Sequence, residues 1–199
     1  MDTRLTLSDA WGLLIDLLEK LEGKDGEMWL RGLKRFLRKE SPWEKPEIFR
    51  TIEIGAYKDV ECLRKDLRES GARIGMWGRD ILNKIELSQS KRSMDLVVLS
   101  VEELGFPGGA QLRDIYKAAN SQGLDLCPAE VGPQWCLQSQ DQPEGEWLII
   151  AMEPIKDSSG GLDLFSVGRG GDDRWLGDYY GDPGSFWDAE DRFVFVRRK

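Results

Sequence analysis

GEWLIIAMEPIKDSSGGLDLFSVGRGGDDRWLGDYY, residues 145–180, is the stretch that decides the fold class. Three strand candidates lie within it, at 146–152, 162–167 and 174–180. Each is rich in Trp, Leu, Ile, Val, Phe or Tyr, the residues that suit a pleated, half-buried surface. The clusters between them, DSSGG and GRGGDD, are turn chemistry, because Gly takes positive φ freely and Asp and Ser bond their own backbone. Strands this close, joined by such turns, pair antiparallel. Two further candidates, 135–138 and 192–197, continue the pattern on either side.

Upstream the punctuation changes. Residues 94–101 form a strand with a continuous apolar centre, Leu96-Val97-Val98-Leu99, as in strands covered on both faces. A helix is expected over 110–122, with Leu112, Ile115, Tyr116 and Ala119 inward and Gly123 as its stop, and then a short strand at 124–127. Earlier still come a strand at 49–54, a helix at 58–69 and a helical stretch at 74–84. The polar run SQSKRS, 88–93, reads as a linker. The first 45 residues read as two helices, 7–21 and 27–39. Thr6 with Asp9 fits the first cap and Ser41-Pro42 fits the second stop.

In the second helix Trp29, Leu30, Leu33, Phe36 and Leu37 oppose Arg31, Lys34, Arg35, Arg38 and Lys39. Such periodicity is the ordinary mark of a packed helix with a solvated basic face, and that reading is preferred to an anionic-surface binder. The expected fold is thus α+β: a helical hairpin at 1–45, a small strand-helix-helix region at 46–92, and an α+β domain at 93–199 with a helix on a mainly antiparallel sheet.

Composition narrows function. The 199 residues contain no histidine, which removes Ser-His-Asp and Cys-His catalysis and His-ligated metals from within the chain. The net charge of −8 is uneven: residues 1–94 sum to +2 and residues 95–199 to −10. An acidic half repels a phosphate backbone, which argues against nucleic acid as a partner. Cys62, Cys127 and Cys136 have neither disulfide nor metal spacing, so reduced thiols and a cytoplasmic location are expected. No apolar run approaches a membrane span, and no signal-peptide pattern or cofactor motif is read.

GLDLCPAEVGPQWCLQ (123–138) and GEWLIIAMEP (145–154) resemble an uncharacterised family of small bacterial proteins from uncultivated lineages. FRTIEIG (49–55), GARIGMWGRDIL (71–82), DLVVLSVEELGF (95–106) and WDAEDRFVFVRRK (187–199) are similar to the same family. The resemblance implies no activity and no catalytic residue. The closing strand also resembles the end of C-type-lectin-like and formylglycine-enzyme-like domains, without their further Trp-Gly and Cys signatures. That likeness implies only that the last strand closes the sheet.

Four constellations are candidates for function. Cys127 is followed by Glu130, but Asp125 and Glu130 oppose thiolate formation, so a structural thiol is the preferred reading. Glu130 and Glu153 are the candidate pair for a carboxylate hydrolase, glycan-directed by analogy with two-carboxylate sugar hydrolysis. Residues 157–163 (DSSGGLD) echo the start of a calcium loop but carry Ser159 and Gly161 where acid or amide is needed; a hydrated turn is preferred. The fourth is the late aromatic and acidic set. Alternation places Trp175, Gly177 and Tyr179 on one face of a strand and Leu176, Asp178 and Tyr180 on the other. The expected function is a non-catalytic binding module for a protein or glycan, with cationic partners favoured. Its anchors are Trp175, Tyr179, Tyr180 and Trp187, and its polar rim is Asp172, Asp173, Asp178 and Asp182. Oligomeric state is not legible, although the N-terminal helices could mediate self-association.

Overall fold

In a computed structural model that describes residues 7–38 and 46–198, the chain divides into two units between Lys45 and Pro46. The first is a hairpin of α1 (Leu7–Glu22) and α2 (Gly26–Leu37). Its turn closes through a bond from the Gly26 N–H to the Gly23 carbonyl, 3.0 Å. Lys20 pairs with Asp16 at 2.6 Å and sits 5.0 Å from the Trp29 ring centroid. The expected Thr6 cap and Ser41-Pro42 stop lie outside the described residues. None of the described helices is long and apolar enough to cross a membrane.

The second unit is α+β. Its order is β1 (Arg50–Ile54), α3 (Val60–Glu69), β2 (Arg73–Ile74), α4 (Met76–Leu82), β3 (Arg92–Ser100), β4 (Ala110–Gln111), α5 (Leu112–Ser121) and β5 (Leu124–Asp125). Then come α6 (Val131–Gln138), β6 (Trp147–Ile150), β7 (Ile155–Lys156), β8 (Leu162–Gly170), β9 (Asp173–Tyr180), β10 (Phe186–Trp187) and β11 (Arg192–Arg197). Nine strands form one sheet in the order β1-β3-β11-β6-β8-β9-β2, with β5 beside β6 along β11 and β7 beside β6 along β8. Pairing is antiparallel except at β11·β6 and β2·β9. A two-stranded sheet joins β4 to β10.

The last strand occupies the centre of the sheet. Phe193, Val194 and Phe195 are all fully buried, and β11 has β3 on one side and β5 and β6 on the other. β3 is likewise flanked by β1 and β11, and in its apolar run Leu96 and Val97 are buried whereas Val98 and Leu99 are only half-buried. One sheet face carries Leu148, Val167 and Leu176 in a single cross-strand row, buried beneath helices. A Cβ on Gly132 of α6 would meet the Phe165 ring at 2.9 Å, so glycine sets how closely α6 seats on β8.

Three local expectations change. Residues 135–138 are the end of helix α6, not a strand. Pro133 is the third residue of that helix, where a missing N–H leaves no intrahelical bond unmade. Trp135 is buried, and its indole N–H donates to Gln142 Oε1 at 3.1 Å. The helix expected over 74–84 is shorter, because Arg73 and Ile74 first pair with Trp175 and Leu176 as β2. Of the run 88–93, residues 88–91 are a connection inside the second unit and Arg92 and Ser93 already belong to β3, where they face Ile54 and Glu53 of β1.

Candidate functional site

The opposite face of β6-β8-β9 carries a different set of side chains. Residues directly across an antiparallel pair point to the same face. Trp147, Gly168 and Trp175 therefore form one row, and Ile149, Ser166 and Gly177 the next. Tyr179 follows, opposite Leu164. Glycine is required in the first row because the Trp147 ring occupies the space a Cβ on Gly168 would take. The ring lies across the strand and comes within 3.9 Å of a Cβ position on Gly177. Trp147 is 41% exposed, Tyr179 is 46% exposed and Trp175 is half-buried. The result is a shelf on which three aromatic side chains stand beside Gly168, Ser166 and Gly177, with Ile149 and Leu164 buried in the same rows. Trp175 and Tyr179 are four residue steps apart along the strand, a span of about 13 Å.

Charged groups border the shelf. The Arg73 guanidinium lies 5.6 Å from the Trp175 ring centroid and its Nε pairs with Asp173 at 2.6 Å. On the other face of β6, Arg192 donates to Glu146 Oε1 at 2.7 Å. Tyr179 rests against Trp187 with ring centroids 5.6 Å apart, and Trp187 meets Phe193 edge-on at 4.9 Å. Trp187, only 6% exposed, is thus a buttress that ties Tyr179 to the core rather than a surface anchor.

The structure brings together Trp175 and Tyr179 from the expected set and adds Trp147, which sequence reasoning missed. Its signal was indirect: Trp147 opens a buried strand, and its cross-strand neighbour falls in the glycine-rich run GRGG. Tyr180, 78% exposed, and Asp178 lie on the opposite face of β9. Asp178 accepts the Gly78 N–H at 3.1 Å. Asp182 accepts the Gly184 N–H at 2.8 Å and shapes a turn. Asp172 is exposed in the β8–β9 turn, so Asp173 is the expected rim acid whose pairing to Arg73 borders the shelf.

Glu130 and Glu153 occupy different environments. Glu130 is fully buried at the start of α6. Its Oε1 accepts from the Gly55 N–H at 2.8 Å and Gln134 Nε2 at 3.4 Å, and its Oε2 accepts from the Ser88 N–H at 2.9 Å. Those bonds fasten the end of β1 and the 88–91 connection to α6. Glu153 is exposed and lines a cleft of about 490 Å³ with Lys84, Glu86 and Arg92. Glu130 is not among the residues lining that cleft, and the cleft shares none with the aromatic shelf.

Two further candidates resolve into structural chemistry. In 157–163, Asp157 Oδ1 accepts from Ser159 Oγ at 2.8 Å and the Gly161 N–H at 2.9 Å, closing a turn. Asp163, buried on β8, has its carboxyl pushed up to about 6, first by loss of solvent and then by the charges of Asp157, Asp178 and Asp80. Among the described residues no group of three or more Cys, Asp or Glu is arranged to hold a metal ion. Burial also raises the Cys127 thiol well above its ordinary range, and its Sγ donates to the Val194 carbonyl at 3.3 Å. Cys136 is pushed up to about 12 by burial, with Arg174 opposing. Both thiols stay protonated at neutral pH and are packed as core.

No family model, no curated protein and no solved structure matches the chain.

Proposed function

We propose that the second unit is a non-catalytic binding module whose recognition face is the aromatic shelf of Trp147, Trp175 and Tyr179. The observation that carries this reading is the row Trp147–Gly168–Trp175: two indoles flank a glycine on an otherwise well-covered sheet. Scattered surface aromatics need no explanation, but three on one sheet face beside Gly168, Ser166 and Gly177 make a ready platform. Aromatic rings stack on flat, partly apolar partners such as sugar rings or extended peptides, at little entropic cost. A span of about 13 Å matches roughly four residues of extended peptide. Arg73 and Asp173 supply both signs of charge at the border beside Trp175, which suits a polar rim around an apolar centre.

The hydrolase reading draws less support. Both oxygens of Glu130 are occupied by N–H donors inside the protein, whereas sugar hydrolysis needs two carboxylates facing one cleft.

The test is a screen of the whole chain against a glycan array and an array of basic and neutral peptides. Wild type is expected to bind members of one array. The Trp175→Ala, Tyr179→Ala double variant, with an unchanged unfolding transition, is expected to bind none of them. Equal binding by the folded double variant removes these anchors and with them the proposal.

A further inference from the structure

We propose that the N-terminal hairpin is a self-association surface whose occupant is the same hairpin from a second copy of this chain, giving a two-fold four-helix interface. In α1, Trp11, Leu14, Ile15 and Leu18 recur at the spacing of one helix face, and all four are exposed. In α2, Leu30 and Leu37 are exposed in the same way. Exposure reaches 63% at Trp11 and 70% at Leu37. Two helices in one hairpin make a single contact line, so each keeps an apolar stripe that its partner does not cover.

Six exposed large apolar side chains lie on these two stripes. At around half exposure each, they present on the order of 600 Å². That reaches the upper end of the roughly 300–600 Å² of the largest apolar patch on a typical monomer. It is most of what one partner contributes to a standard stable interface, near 800 Å².

Charge selects the second copy over other occupants. Glu19 and Glu22 lie one helical turn beyond Ile15 and Leu18, whereas Lys34 and Arg38 lie one and two turns beyond Leu30. α1 therefore borders its stripe with acids and α2 borders its stripe with bases. A two-fold axis that sets α1 on α2 of the other copy places opposite charges along both sides of the apolar seam. An anionic lipid surface is a poorer match, since residues 7–38 carry six acidic and six basic residues and no net attraction.

The experiment is sedimentation velocity on the full chain across the micromolar range. Wild type is expected at twice its 22.7 kDa mass. Glu19→Lys with Glu22→Lys is expected to weaken association at least tenfold, as is Lys34→Glu with Arg38→Glu, and mixing the two variants restores pairing as a heterodimer. Unfolding of the second unit, followed in the same samples, should be unchanged in both. A wild-type chain that stays monomeric overturns the proposal. So does a dimer indifferent to both charge pairs. Recovery of the wild type on vesicles of phosphatidylcholine and phosphatidylserine, with loss of the dimer, also overturns it in favour of a membrane role.

Discussion

The two faces of β8 and β9 use the same alternating strands to opposite ends. On one face Leu176, Val167 and Phe165 are buried beneath helices, with Gly132 allowing α6 to come close. On the other, Gly168 and Gly177 give no side chains, and Trp147, Trp175 and Tyr179 stand on them half in water. Every apolar side chain on the first face is spent on cohesion. The second face keeps large rings half in water, and that difference is what the proposed recognition role rests on. Substitutions on the covered face should cost stability and leave recognition to follow the fold. Substitutions on the open face should cost recognition alone.

The largest expected effect is at Glu130. Glu130→Ala leaves the Gly55 and Ser88 N–H groups without acceptors in a buried site, at about 1–3 kcal/mol for each. Urea unfolding of the second unit should register a loss of about 3 kcal/mol or failure to fold. A loss under about 1 kcal/mol would mean the carboxylate is not the fastener described.

Next is Asp163. The folded chain keeps its proton up to about pH 6, whereas an unfolded aspartate releases it near 4. Between those values the folded form holds more proton. The stabilising contribution is therefore fully present below about pH 4 and is lost as pH rises through about 6. Asp163→Asn removes the carboxylate that is charged beside Asp157 and Asp178 at higher pH. It should gain about 2 kcal/mol over wild type at pH 8 and nothing at pH 4, by urea unfolding at each pH. Equal stability of the two chains at pH 8 would contradict the like-charge crowding.

On the open face, Trp147→Ala should lower stability by about 1 kcal/mol or less while abolishing the binding that wild type shows on the arrays. A loss as large as that of Glu130→Ala would make Trp147 a core residue and erase the contrast between the faces. The smallest effect belongs to Tyr180, exposed on the covered side of β9. Tyr180→Ser should alter stability by under about 0.5 kcal/mol and leave array binding unchanged. Loss of binding there would move the site around the strand to the face of Asp178.

Sequence alone carried the local part of this account. Turn clusters and alternation located β8, β9 and β11, and the two-residue period put Trp175, Gly177 and Tyr179 on one face. What stayed hidden was pairing at a distance. Trp147 joins the shelf only because β6 lies against β8 with Trp147 opposite Gly168, a register no local pattern specifies. Glu130 gives no sign of burial, since its donors come from residues 55 and 88. Trp187 looks like Trp175 in its polar surroundings, and only the arrival of Phe193 beneath it makes it core. The α6 segment misled for another reason: Trp135-Cys136-Leu137 is a short apolar run, which fits a buried strand as well as a buried helix.

The most direct measurement is a titration of the full chain, with its tryptophan indoles labelled for NMR, against a glycan or peptide taken from the array screen. The indole N–H signals of Trp147 and Trp175 are expected to move while those of buried Trp135 and Trp187 hold still. Movement confined to backbone signals of residues 84–88 and 153–155, around the separate cleft, with both shelf indoles unchanged, would contradict it.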